Sequence, residues 1–508
     1  MATRPSAIVL LTVTAVCLAH SAIRTPTPGV NEPHYLSKAR HLFDAGWCPG
    51  DFFLDSSNPH LVFYLLAGPL AGFLPLAAVA WIGRALALTL LASGWATMVH
   101  RLVPGRWSPL LATAVFLAWA SAGSLSGEWV VGGFESKVLA YAALTWSVAA
   151  RLGGQPRGSA AWLGAAICVH PVVGGWAAVA AILANPWPWT GRRWVLASIA
   201  IAVALPGLLP ALGLLGNGST SADTIQVFGR LGHHLVPGRF SRLSALLHAA
   251  AVVTWLGTRR LSVEKDPHGW WTRVVLATSC VLVCGWCLAL EQPPRGSGAE
   301  NTIDIIDRLR LTAMKFYPYR LFDVVLPAAI GMRLCGLLAA CSPRRISPSL
   351  AVLLLAIAWG LPAPDRNPSR MSFQEHADWL DTCQFINSHL PDDAVVLTPR
   401  NSWAFKWYAN RAEYVVFKDC PQDASGILEW DRRRIRRGRW LNELQLGRPP
   451  VATTTNAFAD TGVTHIVWRR ADGLDRLGDQ PPLFETPSFV VYLFEPESPD
   501  AISGRRRS

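Results

Sequence analysis

Long apolar stretches broken by short polar turns run from the N-terminus to Pro362, and beyond it the pattern changes to one with frequent charges. A helix needs about 20 apolar residues to cross the hydrocarbon of a bilayer, fewer where it is a half-helix. Apolar runs near 6–23, 76–100, 108–123, 137–151, 160–170, 172–184, 194–215, 243–257, 270–290, 321–341 and 347–362 predict about 11 crossings. The first run follows Arg4 and reads as an uncleaved anchor, because ten more follow it. Two further stretches, about 34–45 and about 60–74, read as surface helices on the outer face. After Pro362 the chain shows helical periodicity over Phe373–His389, then strand-like runs at Ala394–Thr398, Glu413–Phe417, Thr464–Trp468 and Phe489–Phe494. The fold class expected is therefore mostly α: a polytopic transmembrane helical bundle over residues 1–362, followed by a soluble α/β domain over 363–508.

Composition sharpens the division. Of 508 residues 51% are hydrophobic and 16% charged, against roughly 25% charged in an ordinary soluble domain. The net charge of +12 belongs wholly to the hydrophobic part, since the tail holds slightly more acids than bases. That argues against a nucleic-acid-binding tail and points to the positive-inside rule instead. With a cytoplasmic N-terminus, the inner loops collect Arg4, Arg101, Arg106, Arg151, Arg157, Arg192, Arg193, Arg259, Arg260, Lys265, Arg273, Arg344 and Arg345, opposed only by Glu264 and Asp266. The tail then emerges on the extracytoplasmic side. Cys383 and Cys420 would meet an oxidising compartment there and form a candidate pair. The arginine run from Arg432 to Arg439 reads as a solvated helix face.

Candidate chemistry lies in the outer loops. Glu32 opens the first surface helix, where an acid favours the helix dipole, and Asp51 and Asp55 follow in the same loop. The loop Gly127–Lys137 carries Glu128, Glu135 and Lys137 between apolar spans, so these charges need partners or a wet cavity. As ordinary structure, Glu135 and Lys137 form a surface ion pair. As chemistry, Lys137 holds a lipid phosphate. His170-Pro171 interrupts two half-length apolar segments. Lys315, Tyr319, Arg320 and Asp323 crowd a span entrance, combining interfacial anchoring with phosphate recognition. No glycine-rich phosphate fingerprint or nucleophile elbow occurs in the tail.

The order of these parts resembles the GT-C superfamily of membrane glycosyltransferases. The resemblance rests on a first span followed at once by Asn31-Glu32, the surface helices, the broken segment Gly164–Pro171 and an external α/β tail. Asn31-Glu32 stands where the family usually has Asp-Glu or Asp-x-Asp, and His170 where it often has Lys. The runs Gly132–Lys137 and Tyr317–Asp323 look closer to uncharacterised bacterial polytopic membrane proteins of this layout. The resemblance implies transfer of a sugar from a polyprenyl-phosphate carrier to an envelope glycan, lipid or protein on the outer face of the bacterial cytoplasmic membrane. Glu32, then Asp51 or Asp55, would act as general base. Lys137, His170, Lys315, Tyr319 and Arg320, with Glu135 beside them, would hold the departing lipid phosphate. Oxygen ligands from Glu32, Asp51 and Glu135 would suit a divalent Mg or Mn ion. The rival readings are a transporter or flippase, which would place charge along the spans where only Arg84 and Arg333 lie, and a noncatalytic envelope scaffold.

Overall fold

Apolar runs bounded by Pro, Gly and arginine-bearing turns become helices in the computed structural model, which describes residues 5–185, 190–214, 218–266, 269–294, 303–341, 347–477 and 481–494. Arg4, Arg344 and Arg345 of the inner-loop tally lie outside the described residues. In chain order the helices are α1 (Ala7–Arg24), α2 (Glu32–Phe43), α3 (Leu61–Phe73), α4 (Leu76–Leu102), α5 (Ser108–Ala122), α6 (Ser136–Leu152), α7 (Pro156–Val169), α8 (Pro171–Leu183) and α9 (Gly191–Gly213). There follow α10 (Thr220–Thr224), α11 (Gly232–Leu235), α12 (Arg242–Gly257), α13 (Trp270–Leu288), α14 (Ile305–Met314), α15 (Phe322–Cys341) and α16 (Pro348–Gly360). The C-terminal part adds α17 (Phe373–His389), α18 (Phe405–Ala409), α19 (Ala424–Gln445) and α20 (Pro450–Phe458).

Among the described residues five helices, α1, α4, α9, α13 and α15, are long and apolar enough to cross a bilayer, which marks a membrane protein. The other six expected crossings are helices of 13 to 17 residues. At 1.5 Å per residue such helices reach only about 20–25 Å, short of a hydrocarbon core of about 30 Å.

Two compact units form: Met1–Val30, Pro59–Phe63 and Ala80–Arg366 in the first, and Asn31–Asn58, Tyr64–Val79 and Asn367–Ser508 in the second. In the first, small residues let helices touch closely. A side chain on Gly164 would strike the Ala200 carbonyl, and one on Gly207 the Cys168 carbonyl, so α7 and α9 pack backbone to backbone. The two charges deep inside long helices each meet a partner, although Arg333 Nε and Nη2 have no hydrogen bond among the described residues. Arg84 donates to Ser21 Oγ at 3.2 Å and to the Thr25 carbonyl at 2.8 Å, and Arg333 pairs with Glu264 at 3.2 Å.

The second unit contains a five-stranded sheet in the order β2-β1-β3-β5-β4, with strands β1 (Val395–Leu397), β2 (Ala412–Glu413), β3 (His465–Arg469), β4 (Phe484–Glu485) and β5 (Phe489–Leu493). β1 runs parallel to β2 and β3, whereas β5 is antiparallel to β3 and β4. Trp379, Ile386, Val396, Phe405, Val467 and Phe489 fill the core between α17, α18 and the sheet. The strand expected over Glu413–Phe417 stops after Glu413. The carbonyls of Tyr414, Val415 and Val416 instead accept from Arg433, Arg437 and Trp430 of α19, which leaves no ladder to extend. The arginine run is thus largely a row of anchors and not a solvated face: Arg437 is buried, Arg433 stacks 4.3 Å from the Phe52 ring, and Arg434 lies 4.4 Å from the Trp430 ring. Cys383 and Cys420 are not disulfide-bonded. Cys383 lies in the α17 core, while the Cys420 thiol donates to the Pro421 carbonyl at 3.3 Å.

Candidate functional site

In the first unit, the polar loop between α5 and α6 folds around the carboxylate of Asp323, in the first turn of α15. Asp323 accepts from the Leu125 and Ser126 amides, both at 2.8 Å, from Ser126 Oγ at 2.7 Å and from the Glu128 amide at 3.3 Å. Those bonds fix where Glu128 starts. Gly127 between them takes φ +81°, and the His234 ring sits where a side chain would stand, so glycine is required twice over. His234 is pushed down to about 3 by burial, by His233 and by the cations Arg320 and Lys137, against the pull of the Ser126 carbonyl it contacts. It is therefore neutral at pH 7 and donates to that carbonyl through Nδ1.

The loop delivers four charges to one place. Arg320 Nε donates to Glu128 Oε2 at 2.7 Å, and its guanidinium lies 4.0 Å from the Tyr317 ring centre. Lys137 Nζ stands 3.9 Å from Glu128 Oε1 and 3.8 Å from Glu135 Oε2, beyond hydrogen-bond distance, and 3.7 Å from the Trp129 ring centre. Lys137, Glu128 and Glu135 are all buried. Among the described residues Glu128 Oε1 is a buried carboxylate oxygen with no donor at hydrogen-bond distance, and the Tyr141 hydroxyl lies near this carboxylate. A buried ammonium held by field and ring, without a direct hydrogen bond to either acid, keeps its protons for an incoming anion.

An apolar cavity of about 150 Å³ adjoins the cluster, lined among others by Trp95, Phe116, Val131, Tyr141, Trp270 and Val324. Tyr141 lies one helical turn past Lys137 on the same face of α6, and Val131 comes from the loop that carries Glu128 and Glu135. The volume suits a benzene-sized apolar group or a short piece of hydrocarbon chain.

The remaining expected phosphate-binding residues take other places. Lys315 pairs with Asp223 at 2.8 Å. Tyr319 is fully buried and donates to the Gly285 carbonyl at 2.9 Å. His170 caps α8, its Nδ1 accepting from the Val173 amide at 3.3 Å, and its ring centre is 4.8 Å from that of His60. His170 still lies within the electrostatic reach of Arg320 and Lys137.

The three expected general bases all belong to the second unit. Glu32 is fully buried as the first residue of α2. Asp51 is fully buried too, and its oxygens are spent: Oδ1 accepts from the Phe53 and Leu54 amides at 3.1 and 2.9 Å, while Oδ2 accepts from the Glu413 amide at 2.9 Å and faces Lys406 at 3.3 Å. Asp55 is half-exposed and meets His41 Nε2 at 2.9 Å. Lys406 also binds Glu413 at 3.2 Å and Asp419 at 2.7 Å, and Asp419 meets His34 at 2.9 Å. Three carboxylates raise the Lys406 ammonium well above its ordinary value even though burial alone would lower it. With both Asp51 oxygens engaged, the acids proposed for a Mg or Mn ion do not fit one. Among the described residues no three His, Cys, Asp or Glu side chains converge as a metal-ligand set.

The expected site residues Lys137, Glu135 and Arg320 lie in one cluster, Lys137 in the first turn of α6, whereas Glu128 was passed over as a site residue and Asp323 as the group that shapes the loop. The signal for Glu128 was present, since two acids in a short loop between apolar spans each need a cation. A protein-family model described as a domain of unknown function (DUF6798) matches residues 377–436, from α17 into α19. No curated protein matches the chain.

Proposed function

We propose that the chain is an integral membrane glycosyltransferase of GT-C layout, moving a sugar from a polyprenyl-phosphate carrier to an acceptor at the outer face of the bacterial cytoplasmic membrane. The observation that carries this reading is a buried ammonium, Lys137, without a direct hydrogen bond to its acids and beside an apolar cavity on the same helix. A lipid phosphate presents both characters, an anionic head on a hydrocarbon tail. In this reading about 11 helices cross the bilayer, the short ones as half-helices packed within the bundle. Lys137 and Arg320 hold the phosphate as charge builds on it. The bond from sugar carbon to phosphate oxygen breaks, a bond to the acceptor oxygen forms, and the acceptor proton passes to a carboxylate, with Glu128 Oε1 the candidate.

Membranes carrying the chain should consume a labelled polyprenyl-phosphate sugar and label an acceptor. Glu128→Gln should slow that transfer by about 10²–10⁴-fold while the protein stays folded in the membrane. Transfer left intact in Glu128→Gln would remove this carboxylate from the mechanism. A second reading, a noncatalytic envelope scaffold, is favoured by one observation: Asp51 and Glu128 are both engaged in ion pairs. It predicts no turnover in the same assay, with the tail binding an envelope polymer or protein.

A further inference from the structure

At the end of α6 opposite Lys137, a second charged group gathers, built of arginines. Arg151, in the last turn of α6, lies 5.7 Å from the Trp270 ring centre and within the electrostatic reach of Arg192, Arg273 and Arg193. Arg193 gives one nitrogen to the Asn185 carbonyl at 3.2 Å, and Arg273 gives Nε to the Ala184 carbonyl at 2.7 Å. Arg151, Arg157 and Arg192 have no carboxylate partner among the described residues. Between Arg157 and Arg192 lies a groove of about 560 Å³, walled by Gln155, Pro156 and Gly158 at the start of α7 and by Val195 and Leu196 on α9. The two acids just before α13 are committed elsewhere: Asp266 accepts from the Trp271 and Thr272 amides, and Glu264 pairs with Arg333.

Like charges crowded around a groove repel one another, a cost that an anion in the groove would remove. The helix ends do not supply one: α7 and α9 both begin there without an acidic residue in the first turn or a side-chain cap, and with Arg157 and Arg192 in those turns, opposite to the usual preference. The wall beyond the arginines is apolar. Trp194, Val195 and Ile201 are exposed along α9, which at 11% is the least buried of the five long apolar helices.

We infer that this groove binds the phosphodiester headgroup of an anionic glycerophospholipid, with Arg157 and Arg192 on the phosphate, Arg151 adding field, and the acyl chains lying along the exposed face of α9. A free phosphate would match the arginines but leave the apolar wall unused. The inference rests on the membrane reading of α9 and not on glycosyl transfer, so it stands or falls separately from the proposed activity.

The test titrates the full-length chain, in neutral detergent, with short-chain phosphatidylglycerol, with phosphatidylcholine of the same chains and with inorganic phosphate, following binding by thermal stabilisation. Phosphatidylglycerol should bind far more tightly than the other two. Arg157→Ala with Arg192→Ala should weaken it on the order of 30-fold, about fivefold per arginine, while a charge-keeping Arg157→Lys, Arg192→Lys variant should retain most of it. Equal binding of the two lipids, or unchanged phosphatidylglycerol binding in the alanine variant, would overturn the proposal. Inorganic phosphate binding as tightly as the lipid would overturn it in favour of a soluble anion. If the alanine variant cannot be recovered folded, salt tests the same contacts on the unaltered chain: binding must weaken from about 0.05 to about 0.5 M, and indifference to salt would sink the idea.

Discussion

Each unit buries a lysine among carboxylates, and the two are held in opposite ways. In the second unit Lys406 touches Asp419, Glu413 and Asp51 at 2.7 to 3.3 Å, and the oxygens of Asp51 also cap backbone amides. In the first unit Lys137 keeps 3.8 and 3.9 Å from its two acids and rests against Trp129. A buried charge whose donors are all used holds the fold together, because removing one partner strands the rest. A buried charge held at arm's length contributes less to the fold and can still bond to something that arrives. The same residue type, equally buried, thus marks a structural hub in one region and a candidate binding site in the other.

The sharpest way to break this contrast is Lys406→Met. It leaves three carboxylates buried without their cation and should cost the second unit about 3–5 kcal/mol, read as a large drop in melting temperature of the full chain. A variant as stable as the parent would show that the hub is not structural. Lys137→Met is the matching change in the first unit. It should lower the proposed sugar transfer about 100-fold, the loss expected for one electrostatic donor in a dry site, with a smaller effect on melting. Loss of folding with Lys137→Met would make the two lysines alike.

Acid should weaken the hub. Burial alone would raise Asp419, but Lys406 and His34 hold it well below the usual carboxylate range. A carboxyl depressed in the folded state adds stability that is fully present above its unfolded value, about 4, and is lost as pH falls through the folded value. Melting of the second unit should therefore decline below about pH 4, and Asp419→Asn should flatten that decline. A decline of equal steepness in the variant would assign acid sensitivity to other groups. The smallest effect belongs to Asp55→Asn. Its side chain is half-exposed on His41, so thermal unfolding should register less than about 1 kcal/mol. A larger loss would mean that exposed pairs also carry the loop between α2 and α3.

Helices were the most legible part of the chain. All 11 apolar runs expected to cross coincide with helices, because burial of an apolar stretch and closure of its backbone hydrogen bonds are both local matters. Their number as crossings was less legible, since a helix of 13 residues is apolar enough for lipid yet too short to span it alone. The candidate site was legible only in part. Lys137, Glu135 and Arg320 stood out as charges that apolar surroundings would not tolerate alone, but no local pattern tells which acid a cation will find.

The helical segments, the change of character after Pro362 and the excess of arginine in the hydrophobic part follow from neighbouring residues alone. The three-dimensional packing added the pairings. It brought Asp51, from the loop between α2 and α3, onto the Glu413 amide and Lys406 of the α/β unit, and it turned Asp323 into the knot on which the Glu128 loop is tied. The physical reason is range. Hydrophobic periodicity repeats every few residues, whereas a buried charge is satisfied by whatever partner the fold brings within about 3 Å, however far away along the chain.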